Sequence, residues 1–321
     1  MTERLTLAHD RAPGDVVCMT ALVRDLQTTY PGRYKISVAT PYRDLWLNNP
    51  HVVPRDDEGG GKHVRLTYGH SIGRAATNRI HFLTAWHWDF KRQTGVEVPL
   101  TLPKPDLHLT EEERENRIVA GRYWLILSGG KSDFTTKIYS YARHQQVVDG
   151  LVGMGIPVVQ AGAKERGHHH PRMEGALDLV GKTTLREFLR LIAQADGVIC
   201  TITAAMHIAA AFDKPCVVTG GGREEAHWEA YLNGGQWVGC PVPVKVPHVY
   251  LHTMGQLACC EKRGCWRSKV TRDEEDSKKS YCHRPVVSES GQRIPECLDR
   301  ITAANILEGV FSYYAAGLIP E

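Results

Sequence analysis

Apolar and polar positions alternate most regularly over residues 177–231, on the scale of a βαβ unit. Apolar side chains three and four residues apart predict a helix that opens at Thr183/Thr184, and a short apolar run after it predicts a buried strand. Thr203 then caps a second, Ala-rich helix over 204–212. A strand that feeds a helix through a tight polar turn is typical of a parallel α/β sheet. The helix N-terminus there attracts an anion, commonly a nucleotide phosphate.

The first forty residues repeat this pattern. A short strand at 5–8 precedes a loop and helix start over 13–20, and a second strand lies at 34–39. Asp15 therefore lies at the carboxyl end of the first strand, where it would face a cleft between two domains. A carboxylate in that place suits a general base that takes a proton from a hydroxyl group. Asp is also a common helix N-cap, so the alternative is a purely structural role.

The second half of the chain opens with a similar turn. A buried strand is predicted at 123–128, and Gly129-Gly130-Lys131 follows it before a helix start near Lys137. This order is typical of a phosphate-approach turn, although the upstream Gly of a Walker loop is missing. A Lys on the first turn of a helix is disfavoured unless an anion is bound there, so a solvated Lys is the weaker alternative.

Length and composition set broader limits. A chain of 321 residues favours two domains, and 42% hydrophobic residues give each half a core. A net charge of +3 is too small to indicate nucleic acid as a partner. No apolar run approaches the ~20 residues of a membrane span, and residues 1–10 lack the apolar region of a signal peptide. We therefore expect a cytoplasmic protein with reduced thiols; its oligomeric state stays open.

Five of the nine Cys lie within residues 259–297. They comprise an adjacent pair and three single residues, namely Cys259, Cys260, Cys265, Cys282 and Cys297. Thiolates close in sequence and separated by hairpin-sized loops have the spacing of a tetrahedral four-sulfur site. The polar segment around them has too few apolar residues to fold alone, and an ion would supply the missing stability. The sequence therefore predicts a structural iron or zinc finger at about 255–300, with unliganded thiols as the alternative.

Several motifs resemble glycosyltransferase family 9, the lipopolysaccharide heptosyltransferases. They are Gly14-Asp15-Val16, Tyr30-Pro31-Gly32, Asn49-Pro50 and the whole stretch 177–231, which ends in Gly220-Gly221-Gly222 and His227-Trp228. The resemblance covers nearly the whole chain and implies an α/β protein with the GT-B fold, in which two Rossmann-like domains face a cleft. It implies an N-terminal acceptor domain over 1–115 and a C-terminal sugar-nucleotide domain over 116–301. It also implies a last helix over 302–321 that packs back toward the first domain.

The resemblance implies an inverting transfer of a heptose-like sugar from a nucleotide diphosphate donor, an ADP-sugar, to a hydroxyl group on a glycan, lipid or protein. Asp15 matches the catalytic base. Lys137 matches the Lys that neutralises the donor diphosphate, with Lys131 as second choice, and Glu165 matches an acidic residue near the nucleotide. The other expected donor contacts are Gly129, Gly130, Thr203, Ala204, Ala205, Met206 and His207. His207 could equally fix the turn by a hydrogen bond.

The chain departs from the family pattern at Ile202-Thr203-Ala204, where the family often has an acidic residue. Backbone N–H groups and the Thr203 hydroxyl would then hold the donor alone. This departure keeps a second function open, a sugar-nucleotide or nucleic-acid binding module without catalysis.

Residues 281–285 and 296–302 resemble the surroundings of the four-Cys, iron-binding finger of bacterial autotransporter heptosyltransferases. The expected ligands are Cys260, Cys265, Cys282 and Cys297, and zinc is the alternative ion. Cys260 is preferred to Cys259 because the four residues between Cys260 and Cys265 would form a compact knuckle.

Four further patterns are less specific. Residues 81–88 are aromatic and His-rich, which suits a sugar-binding surface but more often a domain core. Residues 56–62 predict an exposed turn, and the Pro-rich run 99–105 an irregular segment. Thr110 caps a short acidic helix. The three consecutive His168–His170 predict a surface loop rather than a metal site.

Overall fold

A computed structural model of the chain describes residues 2–54, 61–165, 167–232, 240, 242–271 and 280–320. Most of the turn predicted at 56–62 therefore lies outside the described residues. The first half forms a parallel sheet of order β2-β1-β3, with helices packed on it. Its elements are β1 (Glu3–Ala8), α1 (Pro13–Thr29), β2 (Tyr34–Ala39), β3 (Lys62–Arg65), α2 (Gly69–Asn78), α3 (Phe82–Thr94) and α4 (Glu111–Glu115).

The second half forms a larger parallel sheet of order β11-β10-β9-β4-β6-β8. Its elements are β4 (Trp124–Ile126), β5 (Gly130–Lys131), α5 (Tyr141–Gly153), β6 (Val158–Gln160), β7 (His168–His169), β8 (Leu177–Asp178), α6 (Leu185–Gln194), β9 (Gly197–Thr201), α7 (Ala204–Ala211), β10 (Cys216–Gly221), α8 (Ala226–Glu229), β11 (Val249–His252), β12 (Pro285–Val287), β13 (Arg293–Pro295), α9 (Glu296–Asp299) and α10 (Ala303–Ala315). Helices cover both faces of this sheet, which explains its almost wholly apolar central strands. None of the described helices is long and apolar enough to cross a bilayer.

Helix α1 begins earlier than the sequence pattern predicts. Pro13 occupies the start of the helix, where its missing N–H costs no hydrogen bond, so most of the expected loop at 13–20 is already helical. Ala12 holds the N-cap position, and Asp15 lies in the first turn without being the cap. The predicted caps of two later helices are confirmed, since Thr110 and Thr184 each accept a hydrogen bond from the backbone of the first turn.

The two halves share one apolar core. Helix α1 lies against α7, and α3 contributes Phe82 and Trp86 to the same cluster. Phe82 stacks on Trp228 from the other half at 5.3 Å between ring centroids. The core interpretation of residues 81–88 is therefore confirmed. The division of the chain at residues 115/116 stays a prediction.

The closing helix α10 differs from its expected position. It packs on α5, β10 and β11 of the second sheet, within the apolar cluster on the far side of that sheet. The Tyr313 hydroxyl lies 2.9 Å from the Cys216 carbonyl oxygen and 2.8 Å from that of Pro247. These contacts anchor α10 to its own half of the chain rather than to the N-terminal domain.

Residues 129–137 also differ from the predicted glycine loop and helix. Gly130 and Lys131 form β5, which pairs antiparallel with β7, and a 3-10 helix with a kink follows over Ser132–Lys137. The His168–His169 pair is thus a short strand and not a loop. A Cβ atom at Gly129 would overlap the carbonyl oxygen of His169. Glycine is needed here because two backbones approach closely.

We expect Gly129→Ala to lower the free energy of unfolding by about 2 kcal/mol or more, because the β5–β7 pair must separate to admit the methyl group. Gly153→Ala in α5 is the matched control, since nothing lies within 4 Å of its Cβ position. The control should be neutral or stabilising by up to about 1 kcal/mol. Urea unfolding measures both, and equal effects would show that the β5–β7 contact is dispensable.

Candidate active site

The N-termini of two helices from opposite halves of the chain meet at one point. A Cβ atom at Gly14 would lie 3.3 Å from the Ala204 Cα and 3.4 Å from the His207 ring. Only a residue without a side chain allows the first turn of α1 to approach α7 so closely. Asp15, the next residue, therefore lies at the junction between the two sheets.

The Asp15 carboxylate is held by two neighbours and is 13% exposed. The Tyr68 hydroxyl donates to Oδ2 at 3.2 Å, and His9 Nε2 lies 3.5 Å from the same oxygen. Burial, together with the nearby Asp15 charge, raises the pKa of Tyr68, so its hydroxyl keeps the proton that it donates. His9 Nδ1 donates to the Leu66 carbonyl at 3.0 Å. No described contact reaches Oδ1, which leaves one carboxylate oxygen for another partner.

Lys137 reaches the same junction from the second sheet. Its Nζ lies 3.0 Å from Glu224 Oε1, and its side chain is 25% exposed whereas that of Glu224 is buried. Burial and the charge of Arg223 lower the pKa of Lys137, while Glu229 and Asp15 raise it. Bound anionic groups would therefore stabilise its charged form. The competing candidate Lys131 is exposed and pairs with Asp133 at 2.9 Å, outside this cluster.

Two further charged residues near Lys137 were not predicted from the sequence. Arg223 is buried just after β10, and its Nε donates to the Arg267 carbonyl at 2.6 Å. Glu229 is buried in α8, 3.5 Å from His207 Nε2, and burial raises its pKa. The sequence did contain a signal for them. A run of charged residues directly follows the glycine-rich end of β10, at the carboxyl edge of the sheet.

The N-terminus of α7 has unused hydrogen-bonding groups. Thr203 occupies the N-cap position without making a capping bond. Within the described part of the chain, the buried hydroxyls of Thr203 and Thr201 have no hydrogen-bond partner. Buried hydroxyls usually have one, so these two hydroxyls are able to bond a polar group at this helix start.

The other predicted donor residues on α7 serve mainly in packing. Ala205 and Met206 are fully buried in the core. His207 Nδ1 lies 2.8 Å from the Tyr231 hydroxyl, and burial lowers the pKa of His207 to about 3. A neutral ring fixed by Tyr231 favours the alternative in which His207 secures the turn. Glu165 is exposed, and no described contact joins its carboxylate to Asp15, Lys137 or the start of α7.

Four thiols surround a cavity of about 10 Å³, the room of about one water molecule. They belong to Cys259, Cys265, Cys282 and Cys297. The backbone N–H group of Arg284 donates to the sulfur atom of Cys282 at 3.4 Å. The predicted ligand Cys260 differs, because its buried sulfur donates to the Thr253 carbonyl at 3.6 Å and lies against Gly222. The geometry therefore replaces Cys260 by its neighbour Cys259.

These four thiols line the same cavity, but no three of their sulfur atoms all lie within 4.8 Å of one another. Among the described residues, the group of three possible ligands whose atoms all lie within 4.8 Å of one another is His51, Asp106 and His108. Burial raises the pKa of Cys259, Cys282 and Cys297. The thiols are therefore protonated at neutral pH unless an ion displaces the protons.

Two halves, each built on a parallel sheet with helices packed on it, match the GT-B class of α/β proteins. The model of glycosyltransferase family 9 (heptosyltransferase) matches residues 62–239, more than half of the chain. The chain therefore belongs to this family of enzymes. A comparison with curated protein sequences gave no match.

Solved structures agree on the fold. A family 9 glycosyltransferase from Veillonella parvula DSM 2008 is 12% identical, with a TM-score of 0.63, and the match covers 97% of this chain and 96% of that one. The dodecameric iron-containing heptosyltransferase TibC of enterotoxigenic E. coli H10407, solved with ADP-D-beta-D-heptose, is 15% identical with a TM-score of 0.63, covering 98% and 76%. The E. coli ADP-heptose heptosyltransferase II is 14% identical with a TM-score of 0.58, covering 97% and 98%.

Proposed function

We propose that this enzyme transfers a sugar, with inversion, from a nucleotide diphosphate donor of the ADP-heptose class to a hydroxyl acceptor. One observation carries the proposal: Asp15 of the first sheet lies where α1 meets the N-terminus of α7, and its charge acts on Lys137 of the second sheet. A base on one side and anion-binding groups on the other are what such a displacement requires. The donor class is supported by family membership and by the ADP-heptose bound to TibC.

In this mechanism the acceptor hydroxyl donates to Asp15 Oδ1, because the described contacts of the carboxylate occupy Oδ2. Asp15 takes the proton as the acceptor oxygen attacks the anomeric carbon from the face opposite the diphosphate. A new C–O bond forms, the bond to the diphosphate breaks, and the configuration inverts. Lys137, Arg223 and the N–H groups at the start of α7 stabilise the charge on the departing diphosphate, and Thr203 donates its hydroxyl hydrogen to it.

Lys137→Ala should weaken the binding of ADP by about 1.5 to 3 kcal/mol, the scale of a charge-assisted hydrogen bond, with little effect on adenosine. Lys131→Ala is the matched control, because Lys131 is exposed and paired with Asp133 outside the cluster. Calorimetric titration of each variant with ADP and with adenosine measures the difference. Equal losses for both ligands would assign Lys137 to packing, and a larger loss in Lys131→Ala would exchange the two roles.

We also propose that the cysteine finger holds one iron or zinc ion through Cys259, Cys265, Cys282 and Cys297. Their residue types, the shared cavity and the Arg284 N–H group that donates to the Cys282 sulfur fit a structural ion, although the thiols must move inward to bind it. Such an ion would stabilise a segment with little apolar core of its own. Four thiolates leave no open position, so no step of the transfer passes through this ion.

A further inference from the structure

A second group of possible metal ligands lies on the N-terminal half, far from the thiols in sequence. His108 Nε2 lies 2.9 Å from Asp106 Oδ2, and His51 Nε2 lies 3.7 Å from the same oxygen. One ligand atom from each of the three side chains lies within 4.8 Å of the other two. The side chains are 17–31% exposed, which leaves an ion access from solvent.

These distances between possible ligand atoms are close to the distances between the ligand atoms of a bound ion. Zinc binds imidazole nitrogen and carboxylate oxygen at about 2.0–2.2 Å, so two ligands of a tetrahedral zinc lie about 3.4 Å apart. The two distances to Asp106 Oδ2 bracket that value. Only small side-chain rotations are needed to place an ion among the three atoms.

Side chains hold the backbones of His51 and Asp106 in place. Asp106 N–H donates to the Thr20 hydroxyl at 2.7 Å, and His51 N–H donates to Asn49 Oδ1 at 2.9 Å. Asn49 Nδ2 in turn donates to the Asp106 carbonyl at 3.4 Å. Ligands held in this way lose little freedom on binding an ion.

The charges around the group also permit a cation. Arg24 is the nearest competing cation, but its guanidinium pairs with Asp25 at 2.8 Å and donates to the carbonyls of Lys104 and Leu102. Asp106 offers carboxylate oxygens, and His51 and His108 offer ring nitrogens. An ion of charge +2 would meet one carboxylate and two imidazoles, a ligand set that suits zinc and similar transition metals.

We propose that His51, Asp106 and His108 form a site for a divalent ion of the zinc class, with water in the remaining position. The ion would join the loop after Asn49 to the irregular segment that leads from the first sheet toward the second. The His108 carbonyl accepts from Arg186 Nη2 of α6 at 2.8 Å, so this segment also carries a contact between the two halves. The ion would thus fix a segment that contacts the second half of the chain. It has no role in transfer, because Asp15 lies in the first turn of α1, whereas Gln27, near the other end of that helix, donates to the His51 carbonyl at 3.3 Å.

The test is a zinc titration of metal-free protein, comparing wild type with His108→Ala and His51→Ala. The control is His63→Ala, which removes an exposed His on β3. We expect wild type and control to bind one equivalent more than either variant at micromolar zinc, with an affinity loss of more than about 100-fold at this site. Because every protein keeps the same cysteines, zinc bound at the finger cancels in the comparison. Equal stoichiometry in wild type and variants would overturn the site.

Anomalous diffraction from zinc-soaked wild-type crystals gives a second measurement that does not depend on variant folding. A peak among the three side chains supports the site. Its absence, with zinc present at the thiols of the same crystal, would overturn it.

Discussion

Asp15→Asn is expected to lower the rate of sugar transfer by 10²-fold or more while leaving folding and ADP affinity nearly unchanged. The amide has the same shape as the carboxylate, so Tyr68 can still donate to its oxygen and α1 can still meet α7. It cannot accept the proton of the attacking hydroxyl, however, because it is no base at neutral pH. The loss should therefore fall on kcat rather than on donor binding.

Asp10→Asn is the matched control, with the same chemical change a few residues away. Asp10 is exposed and pairs with Arg65 on the surface, so this variant should transfer at the wild-type rate. Product formation from ADP-heptose, followed together with calorimetric binding of ADP, separates catalysis from affinity. Wild-type turnover in Asp15→Asn would remove Asp15 from the mechanism, and binding of donor without transfer by the wild-type protein would favour a non-catalytic module.

The helix caps could be predicted from sequence because short-range rules govern them. Thr110 caps α4 and Thr184 caps α6 through hydrogen bonds that span three residues of the chain, whereas the start of α1 at Pro13 and the approach of Gly14 to α7 were not predicted. Tyr68 and Arg223 reach the site only through the packing of distant segments. The periodicity of apolar residues does not indicate such contacts, so no pattern in the sequence singles out Tyr68.

The choice between adjacent cysteines shows the same limit. Spacing alone favoured Cys260 over Cys259, because the four residues between Cys260 and Cys265 would form a compact knuckle. The direction of the Cys260 side chain is set by Thr253 and Gly222, which come from other parts of the fold and contact its sulfur atom. The turn at 129–131 is a similar case, because its partner strand β7 follows some 40 residues later and turns a loop into a paired strand.

The finger is connected to the proposed diphosphate site through backbone hydrogen bonds. Thr136, directly before Lys137, donates from its N–H to the Ser268 carbonyl at 3.2 Å and from its hydroxyl to that of Arg267 at 2.6 Å. Arg223 Nε donates to the same Arg267 carbonyl. Arg267 and Ser268, shortly after Cys265, therefore position both cations, and an ion in the finger would stabilise the donor site indirectly.

Cys259→Ala is expected to remove the bound ion, lower the melting temperature and weaken ADP binding, because one lost thiolate opens a site whose binding energy also folds the finger. Structural zinc sites supply about 10–16 kcal/mol at pH 7, so loss of the ion should exceed the effect of any ordinary substitution in this segment. Burial raises the pKa of Cys297 to about 12, so binding must displace protons. Ion affinity should accordingly rise with pH and fall on acidification.

Cys260→Ala is the matched control, since it removes a thiol from the adjacent position whose sulfur faces the Thr253 carbonyl instead of the cavity. Elemental analysis of both purified variants for iron and zinc, with melting curves and ADP titrations, measures the predicted contrast. Retention of the ion by Cys260→Ala alone agrees with the geometry, because only Cys259 lines the cavity. The reverse pattern would restore Cys260 as the ligand, and folded, active wild-type protein with less than about half an equivalent of iron plus zinc would show that the thiols act without an ion.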